Sequence, residues 1–325
     1  DTDRSRGLGD VYKRQVCTGM PGSLPVLNKK VVEYAAAVGL ATNCTITQDC
    51  KFDRKNYFYP DNPQNYQISQ LYLPICRNGH VDVTLSDGTE KTIRIHEIHM
   101  EEDAGKLVHD EWEGVSYVDY NRSGVPLIEI VSEPDMRSAE EVIAYLTKLR
   151  TTIQYLGASD CKLQEGSMRA DVNLSVRERG SSEFGTRTET KNLNSFAAIE
   201  RAIKAETARQ IDLIEAGEKV VQETRRWNDD KEYSYAMRSK EDAQDYRYFP
   251  DPDLVPIHIS DEYLAELKAK QPEFKDEKKA RYIEEFGLPE YDAEILTDSK
   301  KFTEIFEEAT AICNQPKKVS NWIMG

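Results

Sequence analysis

An apolar run that holds a single carboxylate, residues 125–131, strongly limits how this chain can fold. The run reads Val-Pro-Leu-Ile-Glu-Ile-Val, with Glu129 near its centre. A strand of this composition is expected to be buried, and a buried charge is costly unless it meets a cation, a metal ion or a hydrogen-bonding ligand. A second acidic cluster, Glu101-Glu102-Asp103, lies upstream. Carboxylates on neighbouring strands suggest a site for Mg²⁺ and phosphate, and a surface hairpin with solvated acids is the alternative.

The order of secondary-structure signals predicts an α+β fold, in which strands precede helices. We treat residues 1–15 as a non-native leader, because they show neither helical nor strand periodicity and look unlike the rest of the chain. Predicted helices cover 28–41, 138–156, where Ser138-Ala-Glu-Glu141 is a capping box, and 195–216. Predicted strands cover 81–85 and 92–100, joined by a turn at Ser86-Asp87-Gly88, and then 167–177 and 186–191. Residues 223–251 look irregular, and a charged helical pattern begins near Ser260.

Composition excludes several classes of protein. The net charge is −15, from 43 basic and 58 acidic residues. This acidic balance argues against the chain as the main nucleic-acid-binding part of a protein. The six cysteines contain no Cys-x-x-Cys pair, a pattern typical of reduced thiols in the cytoplasm or an organelle matrix. The sequence contains no run of about 18 apolar residues, so it predicts no membrane-spanning helix.

Some motifs suggest anion chemistry, and familiar nucleotide motifs are missing. Residues 51–61 interleave cations with aromatics, so Lys55 or Arg54 could contact a phosphate, although a loop held by aromatic packing is an equally simple reading. The arginines of 223–248 could recognise a triphosphate or form ordinary surface ion pairs. His96 and Glu102 are expected on one face of a strand and His99 on the other. The chain has no Walker loop, no Rossmann glycine motif and no Gly-x-Ser-x-Gly elbow.

Residues 16–325 closely resemble the GatB family, the B subunits of tRNA-dependent amidotransferases. The resemblance rests on long strings in one order, which include residues 18–28, 51–61, 66–70, 99–106, 118–135, 159–162, 165–169, 191–196, 222–227, 245–253 and 320–325. It implies a large antiparallel-sheet cradle domain that is glutamine-synthetase-like, here 16–259. The start of an all-α helical domain, here 260–325, would follow it.

The resemblance also implies a reaction, a site and partners. The family is expected to phosphorylate the side-chain carboxyl of Glu-tRNA(Gln) or Asp-tRNA(Asn) with ATP, and then to transfer ammonia to it. This is a ligase reaction that forms a carbon–nitrogen bond with glutamine as amido donor. An amidase, the A subunit, would supply the ammonia through a channel, and a small C subunit would complete the complex. Glu102 and Glu129 match the Mg²⁺-binding carboxylates, and Lys55 is expected along the ammonia path. For ATP we expect contacts from Lys106, Arg225, Arg238 and Arg247.

The chain departs from the family pattern at both ends. Family members begin with a strand bearing Gly-Leu-Glu-Val-His, whose Glu and His help to build the metal site, and this strand is not found here. Many members carry a multi-cysteine zinc cluster, of which only Cys17 is present, and this argues against zinc. The C-terminal tRNA-binding tail of the family is also not found in this sequence. We therefore expect that the sequence is truncated at both ends.

Two other functions stay open at this point. The chain could be a free-standing carboxylate–amine ligase with a glutamine-synthetase-like sheet, or a non-catalytic tRNA-binding subunit. Co-purification with an amidase separates the first of these from a role within a complex. Loss of transamidation on replacement of Glu129 separates the second from a catalytic role.

Overall fold

A computed structural model describes residue 16 and residues 18–110, 112–239 and 245–325, with only the backbone of Arg238 and Ser239. The predicted leader, residues 1–15, and Cys17 lie outside the described residues. The helices are α1 (Lys29–Ala41), α2 (Ala139–Leu156), α3 (Phe196–Glu215), α4 (Asp261–Ala269), α5 (Lys275–Glu284), α6 (Glu290–Thr297), α7 (Lys300–Cys313) and α8 (Pro316–Met324). The strands are β1 (Thr45–Ile46), β2 (Asp49–Cys50), β3 (Asp53–Asn56), β4 (Tyr66–Ser69), β5 (Cys76–Thr84), β6 (Glu90–Glu102), β7 (Lys106–Asp110), β8 (Val115–Asp119), β9 (Pro126–Ser132), β10 (Val172–Leu174), β11 (Thr188–Lys191), β12 (Glu223–Asn228), β13 (Tyr233–Ser239), β14 (Phe249–Pro250) and β15 (Ile257–His258).

The first of two compact units comprises Asp1–Val81, Ile93–Asp135 and Gln244–Gln271. Its main sheet has the order β1-β5-β6-β9, and smaller sheets have the orders β14-β3-β4, β15-β2 and β7-β8. The core residues of β6 are fully or almost fully buried, namely Ile93, Ile95, Ile98 and Met100. Helix α1 packs against the main sheet, where the thiol of Cys76 in β5 contacts the carbonyl oxygen of Ala35 at 3.7 Å.

The long β5–β6 hairpin confirms a prediction from the sequence. The two strands are neighbours in the main sheet, and the turn between them is closed by a hydrogen bond from Leu85 N to Thr89 O of 2.9 Å. Gly88 sits in that turn with φ of 82°, a conformation that glycine adopts without steric cost. The turn signal and the alternation of apolar residues therefore predicted the hairpin correctly.

The second unit comprises Asp82–Thr92, Met136–Ala243 and Pro272–Gly325. Its sheet has the order β10-β11-β12-β13, and β12 runs parallel to β11 and antiparallel to β13. Residues of α3 and Trp227 of β12 form one core cluster, against which side chains of α2 pack. A separate cluster joins the C-terminal helices through Tyr282, Leu296 and Phe306, with Phe286 packed beside them.

Local capping explains where α2 and α3 begin. The hydroxyl of Ser138 accepts a hydrogen bond from Glu141 N at 3.2 Å, and that of Ser195 accepts one from Ala198 N at 3.0 Å. Such N-caps satisfy backbone donors that have no partner within the helix. Helix α2 ends at Gly157, whose φ is 70°. Both predicted helices are confirmed.

The α+β class is confirmed, and two predictions at the level of elements are wrong. Residues 223–239 were expected to be irregular but form β12 and β13, two strands of the second unit's sheet. Within 167–177 only Val172–Leu174 is a strand. The two compact units are discontinuous in sequence. The predicted domain boundary at residue 259 stays a prediction. In the part of the chain that is described, no helix is both long and apolar enough to cross a membrane.

Candidate active site

Three side chains of the first unit converge on one point of the main sheet. Strands β6 and β9 are antiparallel, and His99 lies directly opposite Glu129. The Nε2 atom of His99 is 3.3 Å from Glu129 Oε2 and 3.7 Å from Glu101 Oε2. One potential ligand atom from each of the three residues lies within 4.8 Å of the other two. Among the described residues, His99, Glu101 and Glu129 form the group whose side chains could together hold a metal ion. We call it the His99–Glu101–Glu129 cluster.

Strand geometry explains why these three residues meet. Successive side chains of a strand point to opposite faces, so His99 and Glu101 share a face of β6. Residues paired across an antiparallel ladder also share a face, which adds Glu129 from β9. The side chain of His99 is only 11% exposed, whereas that of Glu129 is 56% exposed. The cluster therefore combines a largely buried imidazole, that of His99, with a solvent-accessible carboxylate, that of Glu129.

The cluster has an excess of negative charge around one imidazole. Burial alone would lower the pKa of His99, but the nearby carboxylates of Glu101, Glu129 and Glu97 raise it to about 11. The Nδ1 atom of His99 is 3.3 Å from Glu97 Oε1, yet it is buried and makes no hydrogen bond of acceptable geometry. A bound cation would neutralise such a site as a proton does. Carboxylate oxygens with one imidazole nitrogen suit a hard or borderline divalent ion such as Mg²⁺, Mn²⁺ or Zn²⁺.

Glu102, the expected partner of Glu129 at the metal, is placed elsewhere by the structure. Its carboxylate accepts a hydrogen bond from Ile68 N at 3.2 Å and another from the side-chain amide of Gln64. Burial raises the pKa of Glu102 to about 7 despite these donors. Because adjacent strand residues face opposite ways, Glu101 rather than Glu102 joins Glu129. The structure therefore does not bring the predicted carboxylate pair together.

Lys55, expected on the ammonia path, lies in β3 among tyrosine rings. Its Nζ atom is 4.8 Å from the centroid of the Tyr246 ring and 5.9 Å from that of Tyr57. Tyr248 follows closely, with its ring 6.1 Å from that of Tyr246. Burial, with the charges of Glu101 and Glu129 among the further causes, raises the pKa of Tyr248 to about 12.

The predicted ATP-binding cations fall in different surroundings. Lys106 begins β7 and is exposed, and Arg247 is also exposed, with a positive φ of 45°. Both belong to the first unit. Arg238 lies opposite Thr224 in the β12–β13 ladder, but its side chain is outside the described part of the chain. Among the side chains that the structure describes, no contact joins these cations into one site.

Arg225 is a buried member of its own sheet. Its Nε atom donates to Ser234 Oγ at 2.8 Å, its Nη2 atom donates to Ser234 O at 2.6 Å, and its guanidinium also pairs with Glu223. The same guanidinium lies 3.5 Å from Glu206, a carboxylate that is 2% exposed. These contacts occupy Arg225 with protein groups. The geometry favours a structural role over the predicted contact with ATP.

We expect Arg225→Met to lower the free energy of unfolding of the second unit by about 3 kcal/mol, because Glu206 and Glu223 lose a buried cation. Urea unfolding measures this change. The matched control is Arg226→Met, an exposed arginine on the same strand, which should stay within about 0.5 kcal/mol of the parent. A higher KM for ATP in Arg225→Met with unchanged stability would contradict the structural role.

The sequence analysis does not identify Glu101 as a member of the cluster, and it places His99 on a strand face without assigning it a partner. The signal that could have found them is the strand register. Pairing Ile98 and Met100 with the apolar residues of the strand that carries Glu129 places His99 opposite Glu129. That pairing depends on the tertiary fold, so alternation along one strand could not reveal it.

Comparison of the sequence with known proteins places this chain in a family. A profile of the "GatB/GatE catalytic domain" matches residues 10–265. The B subunit of the aspartyl/glutamyl-tRNA(Asn/Gln) amidotransferase of Agathobacter rectalis is 75% identical over 318 residues, which are 98% of this chain and 67% of that protein. B subunits of the same name from Lachnoclostridium phytofermentans and Caldicellulosiruptor bescii are 69% and 60% identical, over 95% of this chain and 64% of each protein. The chain thus spans about two thirds of the length of these relatives.

Proposed function

Because the chain belongs to the GatB/GatE catalytic-domain family, we propose that it carries the activating site of a glutamine-dependent tRNA amidotransferase. The reaction would convert Glu-tRNA(Gln) to Gln-tRNA(Gln), Asp-tRNA(Asn) to Asn-tRNA(Asn), or both. It belongs to the ligases that form carbon–nitrogen bonds with glutamine as amido donor. The names of the relatives, which specify both tRNA substrates and a B subunit, support this proposal.

The chemistry requires activation before amidation. A carboxylate is a poor acyl donor, so ATP would first phosphorylate the side-chain carboxyl of the aminoacyl group. Ammonia would then displace phosphate and form the amide. An amidase, the A subunit of the complex, would release the ammonia, and a small C subunit would hold the pair together. The described cysteines are free thiols, which fits a reducing compartment such as the cytoplasm or an organelle matrix.

The observation that carries the proposal is the His99–Glu101–Glu129 cluster inside the region matched by the catalytic domain. These residues would hold Mg²⁺, because His99 Nε2 lies beside the carboxylates of Glu101 and Glu129 and the surplus of carboxylate charge fits a cation there. Bound Mg²⁺ would neutralise phosphate charge during phosphoryl transfer. Glu129, the most exposed of the three, is the side chain best placed to follow a ligand that enters from solvent.

Other residues of the first unit would act around the cluster. Burial raises the pKa of Glu102, which favours the neutral form of its carboxyl relative to that of a solvent-exposed glutamate. Lys55 would lie along the route of ammonia, beside the rings of Tyr57 and Tyr246. The tyrosine rings limit water around Lys55, because each contributes a large apolar surface.

The proposed function is tested with this chain assembled with its amidase and small subunits. The assay follows ADP release and amide formation in the presence of Glu-tRNA(Gln), Asp-tRNA(Asn) or correctly charged tRNA. We expect both products only with a misacylated tRNA and only with ATP. Amide formation that needs no ATP, or ATP-dependent amidation of free glutamate without tRNA, would overturn the proposal. The second result would indicate a free-standing ligase.

A further inference from the structure

The ammonium group of Lys55 is held by aromatic faces rather than by an acid. Its Nζ atom lies 4.8 Å from the Tyr246 ring centroid and 5.9 Å from that of Tyr57, within the range of cation–π attraction. No salt bridge to Lys55 is found among the described residues, and its side chain is half-buried. Among the described residues, the ammonium is therefore stabilised by ring faces, and no hydrogen bond uses its N–H donors.

The Tyr246 ring is itself fixed by the strand that carries Lys55. The backbone N–H of Asn56 donates to Tyr246 O at 2.9 Å. The side-chain amide of Asn56 donates to Tyr246 O at 3.3 Å and to Arg247 O at 2.8 Å. Arg247 has the left-handed φ of 45°, which is uncommon for non-glycine residues. Asn56 therefore ties the backbone of Tyr246 and Arg247 to the strand that carries Lys55.

The ring also has lateral support. The Tyr57 and Tyr246 rings meet edge to face, with centroids 6.2 Å apart and an angle of 77° between their planes. Tyr246 and Tyr248 repeat this arrangement, with centroids 6.1 Å apart and the same angle. Edge-to-face pairs of this kind resist rotation of the rings. Tyr246 is thus the middle member of a row of three rings and the one nearest to the Lys55 ammonium.

We propose that Tyr246 is a positioning residue that holds the Lys55 ammonium through its ring face, so that Lys55 guides ammonia to the activated carboxyl. The inference rests on the proposed function for its role in amidation, but the ring–ammonium contact stands without it. The attraction comes from the π face and needs no hydroxyl. Phenylalanine should therefore replace Tyr246, whereas an aliphatic residue should not.

The test compares Tyr246→Phe with Tyr246→Leu in the assembled amidotransferase, with ammonium chloride as the nitrogen source. We expect Tyr246→Leu to raise the KM for ammonium about five-fold and to leave the rate of tRNA-dependent ADP formation within two-fold of the parent. Tyr246→Phe should restore the KM. A purely structural role predicts that ADP and amide formation fall together. That result, or a Phe variant as impaired as the Leu variant, would overturn the proposal.

A second readout does not depend on activity. Trace acylation of the assembled protein with acetic anhydride, followed by mass spectrometry, measures the reactivity of individual lysines. We expect Lys55 to react about three-fold faster in Tyr246→Leu and at the parental rate in Tyr246→Phe. Lys30, which lies 4.6 Å from the Tyr34 ring in α1, is the internal control and should not change. Unchanged labelling of Lys55 in the Leu variant contradicts the contact whether or not the enzyme amidates tRNA.

If Tyr246→Leu fails to fold, Tyr246→Met supplies a flexible non-aromatic side chain with the same expected results. Labelling that changes as expected in a protein that forms no amide would leave the contact standing and refute the proposed function instead. The two failures can therefore be told apart.

Discussion

Replacement of Glu129 by glutamine is expected to lower ATP-dependent amidation about 100-fold or more without unfolding the protein. The change removes one negative charge from the three-residue cluster and one oxygen ligand that a divalent ion would need. It preserves the shape of a side chain that is 56% exposed, so we expect a change of less than about 0.5 kcal/mol in the free energy of unfolding. The rate of amide formation at saturating Mg²⁺ and the urea midpoint together measure the two effects.

Glu133→Gln is the matched control for this variant. Glu133 follows β9 and bonds to a different histidine, with 2.8 Å between its Oε1 atom and His96 Nδ1. Glu133 thus makes a Glu–His contact outside the cluster. We expect the Glu133→Gln variant to form amide at close to the parental rate. Parental activity in Glu129→Gln, or an equal loss in both variants, would show that the cluster has no special part in the reaction.

Replacement of Trp227 by alanine is expected to destabilise the second unit by about 4 kcal/mol. Trp227 is 1% exposed and packs in the core cluster with residues of α3. Its indole N–H donates to Asp229 Oδ1 at 2.9 Å, and the backbone of β12 at this residue accepts from the Asn192 side chain. Deleting a buried aromatic side chain removes its transfer free energy and leaves a cavity. Urea unfolding followed by circular dichroism measures the loss.

Two controls separate burial from tryptophan content. Trp322→Ala removes an indole that is 87% exposed in the same unit, and we expect a change of less than about 0.5 kcal/mol. Trp227→Phe keeps much of the buried volume, so its loss should fall between those of the two alanine variants. Equal destabilisation by Trp227→Ala and Trp322→Ala is the outcome that this description of the core does not permit.

Features set by local chemistry could be predicted from the sequence. The caps at Ser138 and Ser195 and the turn at Gly88 each depend on a few neighbouring residues, and the structure contains all three. The prediction failed for 223–239, where buried and exposed positions do alternate along β12, but a charged residue occupies one of the buried ones. Arg225 is stabilised there by Glu206 from α3, a contact between distant parts of the chain. No local hydrophobic pattern records such a pairing.

The candidate site shows the same division. The apolar run around Glu129 predicted a buried strand, and the structure contains the strand as β9, but its residues are half-buried or exposed and Glu129 itself is 56% exposed. The expectation of a buried charge was therefore wrong, and the reaction proposed for this strand comes from the family resemblance. The choice between Glu101 and Glu102 depends on which face of β6 meets β9. That choice follows from the pairing of His99 with Glu129, which only the folded chain defines. The predicted metal pair, Glu102 with Glu129, therefore shares only Glu129 with the cluster that the structure forms.

The claim that His99, Glu101 and Glu129 form a divalent-cation site can be tested by titrating Mn²⁺ and following free Mn²⁺ by electron paramagnetic resonance. The parent and the adjacent variants Glu101→Gln and Glu102→Gln are compared in the assembled protein. We expect one bound Mn²⁺ that Mg²⁺ displaces, affinity at least about ten-fold lower in Glu101→Gln, and near-parental affinity in Glu102→Gln. Parental affinity in Glu101→Gln combined with loss of binding in Glu102→Gln would contradict this site.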